Sequence, residues 1–254
     1  MDNIYLSIVI PCFNEERNIR LGALENVTQY LLKKKYSYEV ILIDDGSGDE
    51  SKKLINAFIT GHKKFKLFSR QHQGKAAAVI AGMSKAKGRY ILFTDLDQAT
   101  PINQLDILMP FFDSGFDVVI GSRNTVRRGA PLMRQAMARG FIFLRNLILN
   151  LGIKDTQCGF KIFSKKAIYN IISRLKVHHQ GRIAHGSTVT AGFDVEVLYI
   201  AKLLGFKIAE VPVEWHYQET RHINPLKDSW EGLIDLFKIR LNTTRGVYKK
   251  NNAK

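Results

Sequence analysis

Two aspartates stand two residues apart at the end of a short apolar segment, and together they have the chemistry of a metal site. Residues 90–94 are rich in β-branched and aromatic side chains, which predicts a buried strand. Asp95 and Asp97 follow at once, where the chain turns. Their carboxylates are hard oxygen ligands suited to Mg²⁺ or Mn²⁺, and such a metal also carries the phosphates of a ligand. Because Asp-x-Asp pairs also cap helices, the meaning of this pair depends on its context.

The segments around the pair alternate between strand and helix patterns. Apolar runs predict strands at 4–10, 38–43, 66–68, 90–94 and 117–120. After the first run, Asn14 is placed to cap a helix that runs to about residue 31. This alternation predicts an α/β fold with a mainly parallel sheet flanked by helices. Polar clusters follow four of the strands, at 11–15, 44–49, 95–98 and 121–123. They should converge on one edge of the sheet and form a single ligand site.

Composition narrows the class of protein and its partners. The 254 residues are 45% apolar and 24% charged, as in a globular chain that buries a full core. Cys12 and Cys158 lack metal-binding spacing and are interpreted as packing residues in a reducing compartment. No run reaches the roughly 18–20 apolar residues of a membrane span, and a basic signal region is absent, so we expect a cytoplasmic protein. The net charge of +15 favours polyanions: nucleic acid, anionic lipid headgroups or phosphorylated substrates.

Familiar phosphate-binding motifs do not fit. Gly46 and Gly48 are followed by Ser51 where a dinucleotide fingerprint needs a third glycine. The Gly74–Lys75 pair lacks both the upstream glycine and the following hydroxyl of a Walker A loop. An NAD enzyme and a P-loop NTPase are therefore disfavoured. A basic module that binds nucleic acid would account for the charge, but converging carboxylates would repel its phosphates.

Several separated motifs resemble, in order and spacing, those of family 2 glycosyltransferases of GT-A fold. In the first half these are Pro11–Glu15 (PCFNE), Asp44–Ser47 (DDGS), Asp95–Asp97 (DLD) and Gly121–Arg123 (GSR). The second half resembles dolichyl- and polyprenyl-phosphate glucosyltransferases, close relatives of dolichyl-phosphate mannose synthases, at Asp155–Lys161 (DTQCGFK), Phe193–Glu196 (FDVE), Glu210–Val213 (EVPV) and Asn224–Ser229 (NPLKDS). The resemblance implies one domain over 1–241, with a nucleotide-sugar and metal half (1–124) and an acceptor half (125–241), before a basic tail (242–254).

The same resemblance implies a site for a nucleotide-sugar donor, UDP-glucose or GDP-mannose. The residues expected to bind the donor are Pro11, Phe13, Glu15, Asp44, Asp45, Lys75 and Asp95. Phe13 would lie against the base and Glu15 near the ribose, while Asp45, alone or with Asp44, would accept a hydrogen bond from a base N–H.

The implied reaction is a single displacement with inversion, in which a bound Mg²⁺ or Mn²⁺ stabilises the leaving diphosphate as a Lewis acid. Asp97 would hold the metal, and Asp95 and Gln98 are the other candidate ligands. The residues expected to carry catalysis are Asp97, Asp95, Arg123 and Arg134.

The implied acceptor is dolichyl or polyprenyl phosphate. A phosphate monoester with a second pKa near 6 is largely dianionic at pH 7, so it needs cations to position it and no general base. Arg123 and Arg134 match the family's acceptor-phosphate arginines, and a guanidinium fork suits phosphate. Two alternatives stay open: mannosyl transfer from GDP-mannose, or transfer to a glycan hydroxyl with Asp194 as the base.

Two segments are predicted to be amphipathic and interfacial. Residues 133–151 are apolar with arginines at 134, 139 and 145, which we expect at lipid headgroups, with packing of this segment in the core as the alternative. The helix predicted from 225 to 242 has Trp230, Leu233, Ile234, Phe237 and Leu241 on one face. We therefore expect a peripheral protein on the cytoplasmic face of an anionic membrane. A mobile polar loop is expected at 175–192 and a disordered tail at 249–254.

Overall fold

The computed structural model describes residues 4–123, 132–177, 191–216 and 225–249, and side chains within these ranges except at 132–139, 191 and 225–229. The strands are β1 (Leu6–Cys12), β2 (Tyr38–Asp44), β3 (Phe65–Ser69), β4 (Tyr90–Phe93), β5 (Val118–Arg123), β6 (Lys161–Ser164) and β7 (Ile208–Val213). The α-helices are α1 (Glu16–Arg20), α2 (Ala23–Leu32), α3 (Ser51–Thr60), α4 (Lys75–Lys85), α5 (Leu105–Leu108), α6 (Pro110–Asp113), α7 (Leu132–Leu149), α8 (Lys165–Ile172), α9 (Ala191–Leu203) and α10 (Pro225–Thr244). Two 3-10 helices cover Ile102–Gln104 and Val247–Lys249.

All seven strands of the described residues form one sheet in the order β3-β2-β1-β4-β6-β5-β7. β1 pairs in parallel with both β2 and β4, and β5 pairs in parallel with β7. Only β6 runs the other way, antiparallel to β4 and β5. The predicted single α/β domain with a mainly parallel sheet is confirmed, since strands from both halves of the chain share this sheet.

Alternate residues of the central strands feed two apolar cores, one on each face of the sheet. Val9 and Ile41 point into one core, while Ile8, Ile10 and Leu42 point into the other. Helices cover both faces, which explains why these strands are apolar throughout instead of alternating.

Three local predictions differ from the structure. The first predicted helix is split, because Gly22 adopts a left-handed backbone (φ 86°) between α1 and α2. Asn14 does not cap that helix: its side chain accepts a hydrogen bond from Gly48 N (2.8 Å), and Glu15 occupies the N-cap position without a side-chain cap bond. The cluster at 121–123 does not follow a strand, because it pairs with Val211–Val213 of β7 as the last part of β5.

The prediction that Arg145 lies at lipid headgroups is wrong. Arg145 is on the inner side of α7 and only 2% exposed. Its guanidinium donates to Thr156 Oγ1 (2.9 Å) and to the Ile153 carbonyl. Polar groups of the loop after α7 thus bind this arginine on the inner side of the helix. The side chains of the two other arginines, at 134 and 139, lie outside the described residues.

Helix α10 has apolar residues on two faces. Trp230, Phe237 and Leu241, from the predicted apolar face, are exposed, whereas Leu236 and Ile239 on the opposite side are fully buried. Packing against α7 and α9 uses that second face. The period of the outer row was read correctly from the sequence, but the inner row that anchors the helix was missed.

The folded chain continues past the domain boundary predicted at 241. Helix α10 runs to Thr244, and Tyr248 in the following 3-10 helix is 3% exposed. The Tyr248 hydroxyl donates to Glu196 Oε1 (2.9 Å), which also accepts the N–H groups of Lys176 and Val177. The buried Glu196 carboxylate therefore joins α9, the chain after α8 and the end of the described chain.

Of the polar loop predicted at 175–192, residues 178–190 lie outside the described residues.

Replacing Tyr248 by Ala should lower the free energy of unfolding by about 3–5 kcal/mol, because a buried aromatic ring and its hydrogen bond are lost together. Urea unfolding measures this change. Lys249→Ala is the matched control, because the Lys249 side chain follows Tyr248 and is exposed. Its free energy of unfolding should change by no more than about 0.5 kcal/mol. Equal stabilities for the two variants would show that the chain beyond 241 is not part of the fold.

Candidate active site

The carboxyl ends of the parallel strands and the start of β6 meet at one edge of the sheet. From β1 the chain moves outward to β2 and β3, then returns to β4 on the opposite side of β1. Such a reversal leaves a crevice at the strand ends, which is where open α/β sheets bind ligands. The crevice lies between the residues after β1 and those after β4, and it is flanked by the start of β6 at Lys161, which pairs with Phe93.

The loops after β1 and β2 are joined by hydrogen bonds. Asn14 N donates to Ser47 Oγ (3.0 Å), and Glu15 N donates to Ser51 Oγ (2.7 Å). Glu15 Oε2 in turn accepts from Asn18 Nδ2 (2.5 Å). These hydrogen bonds fix the backbone of residues 14 and 15, next to Phe13, at the rim of the crevice. Their predicted contacts with a nucleoside remain predictions, as does that of Pro11 within β1.

Asp44 and Asp45 are both 2% exposed, and both accept hydrogen bonds from the protein. Asp44 Oδ1 accepts Ser47 N (3.0 Å). Asp45 Oδ2 accepts Gly74 N (2.7 Å), and its Oδ1 lies 3.2 Å from Arg70 Nε. Asp45 therefore ties the end of β2 to residues 70–74, the loop that leads into α4. A contact between these carboxylates and a nucleotide base remains a prediction.

His72 is a site residue that sequence reasoning missed. Its ring stacks on Phe13 with centroids 4.0 Å apart and planes 10° apart, and its Nδ1 lies 2.8 Å from Asp45 Oδ2. Gly46, with φ 78°, permits this arrangement, since an added Cβ would lie 3.0 Å from His72 N. Phe13 and His72 thus form an aromatic pair at the rim, where the base of a nucleotide was expected.

Asp95 and Lys75 form an ion pair at the centre of the site, with Nζ 2.6 Å from Oδ1. Burial alone would lower the pKa of Lys75, but the charge of Asp95 and its hydrogen bond, helped by Asp194 and Asp97, raise it above its ordinary value. The sequence had assigned Lys75 and Asp95 to the donor side, and the structure brings them together.

Asp97 and Gln98 complete the turn after β4. Asp97 Oδ1 accepts Ala99 N (3.0 Å), and Gln98, with φ 50°, donates from Nε2 to the Asp95 carbonyl (2.9 Å). Gln98 Oε1 is buried without a hydrogen-bond partner. In the described part of the chain, His, Cys, Asp and Glu nowhere form a group of three that would hold a metal. Two carboxylates fit Mg²⁺ or Mn²⁺ only if a bound diphosphate and water supply the other ligands, a common arrangement for Mg²⁺.

Arg123 forms a bidentate pair with Asp155 instead of presenting a free fork. Its Nε lies 2.7 Å from Oδ2 and its Nη2 lies 2.8 Å from Oδ1. The Trp215 ring lies 5.7 Å from the guanidinium carbon. Burial would raise the pKa of Asp155, but hydrogen bonds and charge from Arg123 outweigh it and lower that pKa. The predicted bidentate contact between Arg123 and phosphate would have to use other N–H groups; the Arg134 side chain lies outside the described residues.

Lys161 is a second buried cation that sequence reasoning missed. It is 1% exposed, and its Nζ donates to Asp194 Oδ1 (2.6 Å) and to the Cys158 carbonyl (2.5 Å). Asp194, the candidate base for a hydroxyl acceptor, is therefore held in an ion pair. The available signal was a lysine within an apolar strand, because a buried lysine needs a carboxylate partner.

The fold is a mixed α/β domain with a crevice at the carboxyl edge of its sheet, the place where such sheets bind ligands. The model of the glycosyl transferase family 2 domain matches residues 7–172, and the chain belongs to that family. It is 33% identical to dolichyl-phosphate beta-glucosyltransferase of Dictyostelium discoideum over 98% of this chain and 78% of that protein. It is 29% identical to the human protein of that name, over 96% and 77%.

Solved structures share the fold. Glucosyl-3-phosphoglycerate synthase of Mycobacterium tuberculosis, in complex with UDP, matches with a TM-score of 0.64 and 19% identity over 93% of this chain and 80% of that one. The Pyrobaculum calidifontis mannosyltransferase PcManGT, in complex with GDP-Man and Mn²⁺, matches with a TM-score of 0.56 and 14% identity over 98% and 76%.

Replacing Asp45 by Asn should lower the free energy of unfolding by about 1.5–3 kcal/mol, since a buried acceptor of several hydrogen bonds loses its charge. If the predicted nucleotide site is correct, the variant should bind UDP more weakly while kcat changes less, because the predicted contact of Asp45 is with the base and not with the reacting sugar. Urea unfolding and calorimetry with UDP measure the two effects. An unchanged UDP affinity in a folded variant would contradict the role given to Asp45.

Proposed function

We propose that the protein transfers glucose from UDP-glucose to dolichyl phosphate with inversion at the sugar. The observation that carries this proposal is the alignment, over nearly the whole chain, with proteins named dolichyl-phosphate beta-glucosyltransferase. The site supports it chemically: acids and Lys75 face a crevice on the donor side, and Arg123 lies on the acceptor side of the same sheet edge.

On the donor side, the Phe13–His72 pair would take the base, and Lys75 would take a diphosphate oxygen. Asp97, with Asp95, would hold Mg²⁺ or Mn²⁺, which when bound neutralises charge on the leaving diphosphate. Lys75 pairs with Asp95 at 2.6 Å, so its ammonium would lie beside the carboxylates that are proposed to hold the metal.

On the acceptor side, a phosphate dianion needs positioning and charge, because it is already deprotonated at pH 7. Arg123, oriented by Asp155, and Arg134 would bind it. Transfer to a glycan hydroxyl is less well supported, because the base that it requires, Asp194, is bound to the buried Lys161.

The direct test incubates the protein with UDP- and GDP-sugars and dolichyl phosphate, with and without Mn²⁺, and follows label into the lipid extract. Label from UDP-glucose that requires both lipid and metal is the expected result. If only GDP-mannose delivers label to the lipid, the proposed donor is wrong. If the label appears in a glycan, the proposed acceptor is wrong.

Asp97→Asn should reduce this transfer by about 10²-fold or more, because weaker metal binding removes several kcal/mol of charge stabilisation. Asp113→Asn, at an exposed position on α6, is the matched control and should retain wild-type activity. Full activity of Asp97→Asn, or of wild-type protein in a chelator, would exclude the metal role.

We propose further that α7 and α10 contact the membrane that carries the acceptor. The two helices pack together, and each has a row of exposed apolar side chains: Phe143 and Leu147 on α7, and Trp230, Ile234, Phe237 and Leu241 on α10. Exposed lysine and arginine at 238 and 240 lie among them, and the chain carries +15. Amphipathic rows with nearby cations are typical of interfacial helices. Across the described residues, the helices are too short or too polar to cross a membrane.

Phe143→Ser with Phe237→Ser should weaken binding to vesicles that contain anionic lipid by roughly tenfold or more, since each buried phenylalanine contributes about 1.5–3 kcal/mol. Vesicle co-sedimentation measures this. The control pair Leu21→Ser and Leu32→Ser removes equally exposed apolar groups near α1 and α2, so its binding should be unchanged. Equal losses in both pairs would show that the α7–α10 surface is not specific.

A further inference from the structure

Residues 151–160, here named the connecting loop, join α7 to β6 along the sheet edge and are fixed by a carboxylate of β7. Glu210 accepts Asp155 N on Oε1 (2.7 Å) and Lys154 N on Oε2 (2.9 Å). Ser122 Oγ donates to the same Oε1 (2.8 Å). The paired strands β5 and β7 thus hold the middle of the loop through one side chain.

A second set of contacts comes from arginines. Arg123 binds Asp155 through Nε, Nη2 and also its backbone N–H, which donates to Oδ2 (3.0 Å). Asp155 Oδ1 in turn accepts Gln157 N (3.1 Å), and buried Arg145 binds Thr156 Oγ1 (2.9 Å). Residues 154–157 are therefore held by three charged side chains, of which Arg145 is buried and Glu210 and Arg123 are half-buried.

The far end of the connecting loop lies directly against Asp95. At Gly159 an added Cβ would overlap Asp95 Oδ2 and lie 2.8 Å from its Cγ. Lys75 lies on the other oxygen, Oδ1. Next to Gly159, the Cys158 carbonyl accepts from buried Lys161. The Asp95 carboxylate therefore lies between Lys75 and the backbone at Gly159. Any residue with a Cβ at position 159 would overlap this carboxylate.

We propose that Asp155 and Gly159 are positioning residues. Together they link the acceptor side of the site to its donor side. The Arg123–Asp155 pair on the acceptor side fixes the connecting loop, and the loop backbone at Gly159 fixes the side-chain position of Asp95 on the donor side. The roles of the two sides rest on the proposed function, whereas the link itself is a property of the folded protein. Loosening the acceptor end should thus disturb donor binding, although Asp155 is not among the residues assigned to the donor or the metal.

The test uses Asp155→Asn and Gly159→Ala in the full chain. Matched controls are Asp113→Asn and Gly61→Ala, since an added Cβ at Gly61 meets nothing within 4 Å. Backbone hydrogen exchange without any ligand should rise in both 95–99 and 151–160 for Asp155→Asn, and in 95–99 for Gly159→Ala. The kcat/KM for the donor should fall roughly 10–10²-fold in both variants, because small misplacements of a catalytic group have effects of that size.

A change confined to the KM for dolichyl phosphate, with exchange at 95–99 unchanged, would overturn the proposal and leave Asp155 as a simple counter-ion of Arg123. If Asp155→Asn does not fold, Gly159→Ala decides alone, because it leaves every contact of Asp155 in place. If Gly159→Ala shows the same donor kinetics and the same hydrogen exchange as Gly61→Ala, the proposed link does not exist. If the wild-type protein transfers no sugar to dolichyl phosphate, the proposed function fails, but the ligand-free exchange still decides whether the link exists.

Discussion

The parallel pairing of β1 with β2 on one side and with β4 on the other is the constraint on which the site depends. This arrangement brings the residues after all three strands to one edge and opens a crevice between the ends of β1 and β4. The reversed strand β6 then starts at the same edge. A loop that enters β6 must therefore pass beside Asp95, and the connecting loop does so at Gly159.

Charge balance within this edge follows from burial. Removing an ion from water is costly unless a partner compensates for it, and three carboxylates at this edge are each paired with a cation. Asp95 is paired with Lys75, Asp155 with Arg123, and Asp194 with Lys161. In each pair the carboxylate holds the cation at the crevice and neutralises its charge. Each pair is neutral overall, so the net charge of +15 comes from residues outside these pairs.

Although β6 and β7 were not predicted, strands β1–β5 and the clusters after β1, β2 and β4 were predictable, because apolar runs and the residues that follow them are local patterns. The partners of the site residues were not. Arg123 meets Asp155 from 32 positions away, and Lys161 meets Asp194 from 33. Nothing in the spacing of either sequence segment specifies such a contact. His72 likewise lies in a polar stretch without periodicity, and only the folded loop places its ring on Phe13. Arg145 was misread because an arginine in an apolar helix can face either lipid or polar groups of a neighbouring loop, here at residues 153 and 156.

A structure of the protein with UDP and Mn²⁺ tests the central claim most directly, namely that this sheet edge binds a nucleotide diphosphate through a carboxylate-held metal. The expected result is a uracil ring against Phe13, the metal bound by Asp97 and the diphosphate, and Lys75 turned toward a phosphate oxygen. A nucleotide bound instead in the groove of about 520 Å³ beside α1, lined by Asn14, Glu16 and Arg20, would contradict the account, as would a metal that leaves Asp97 untouched.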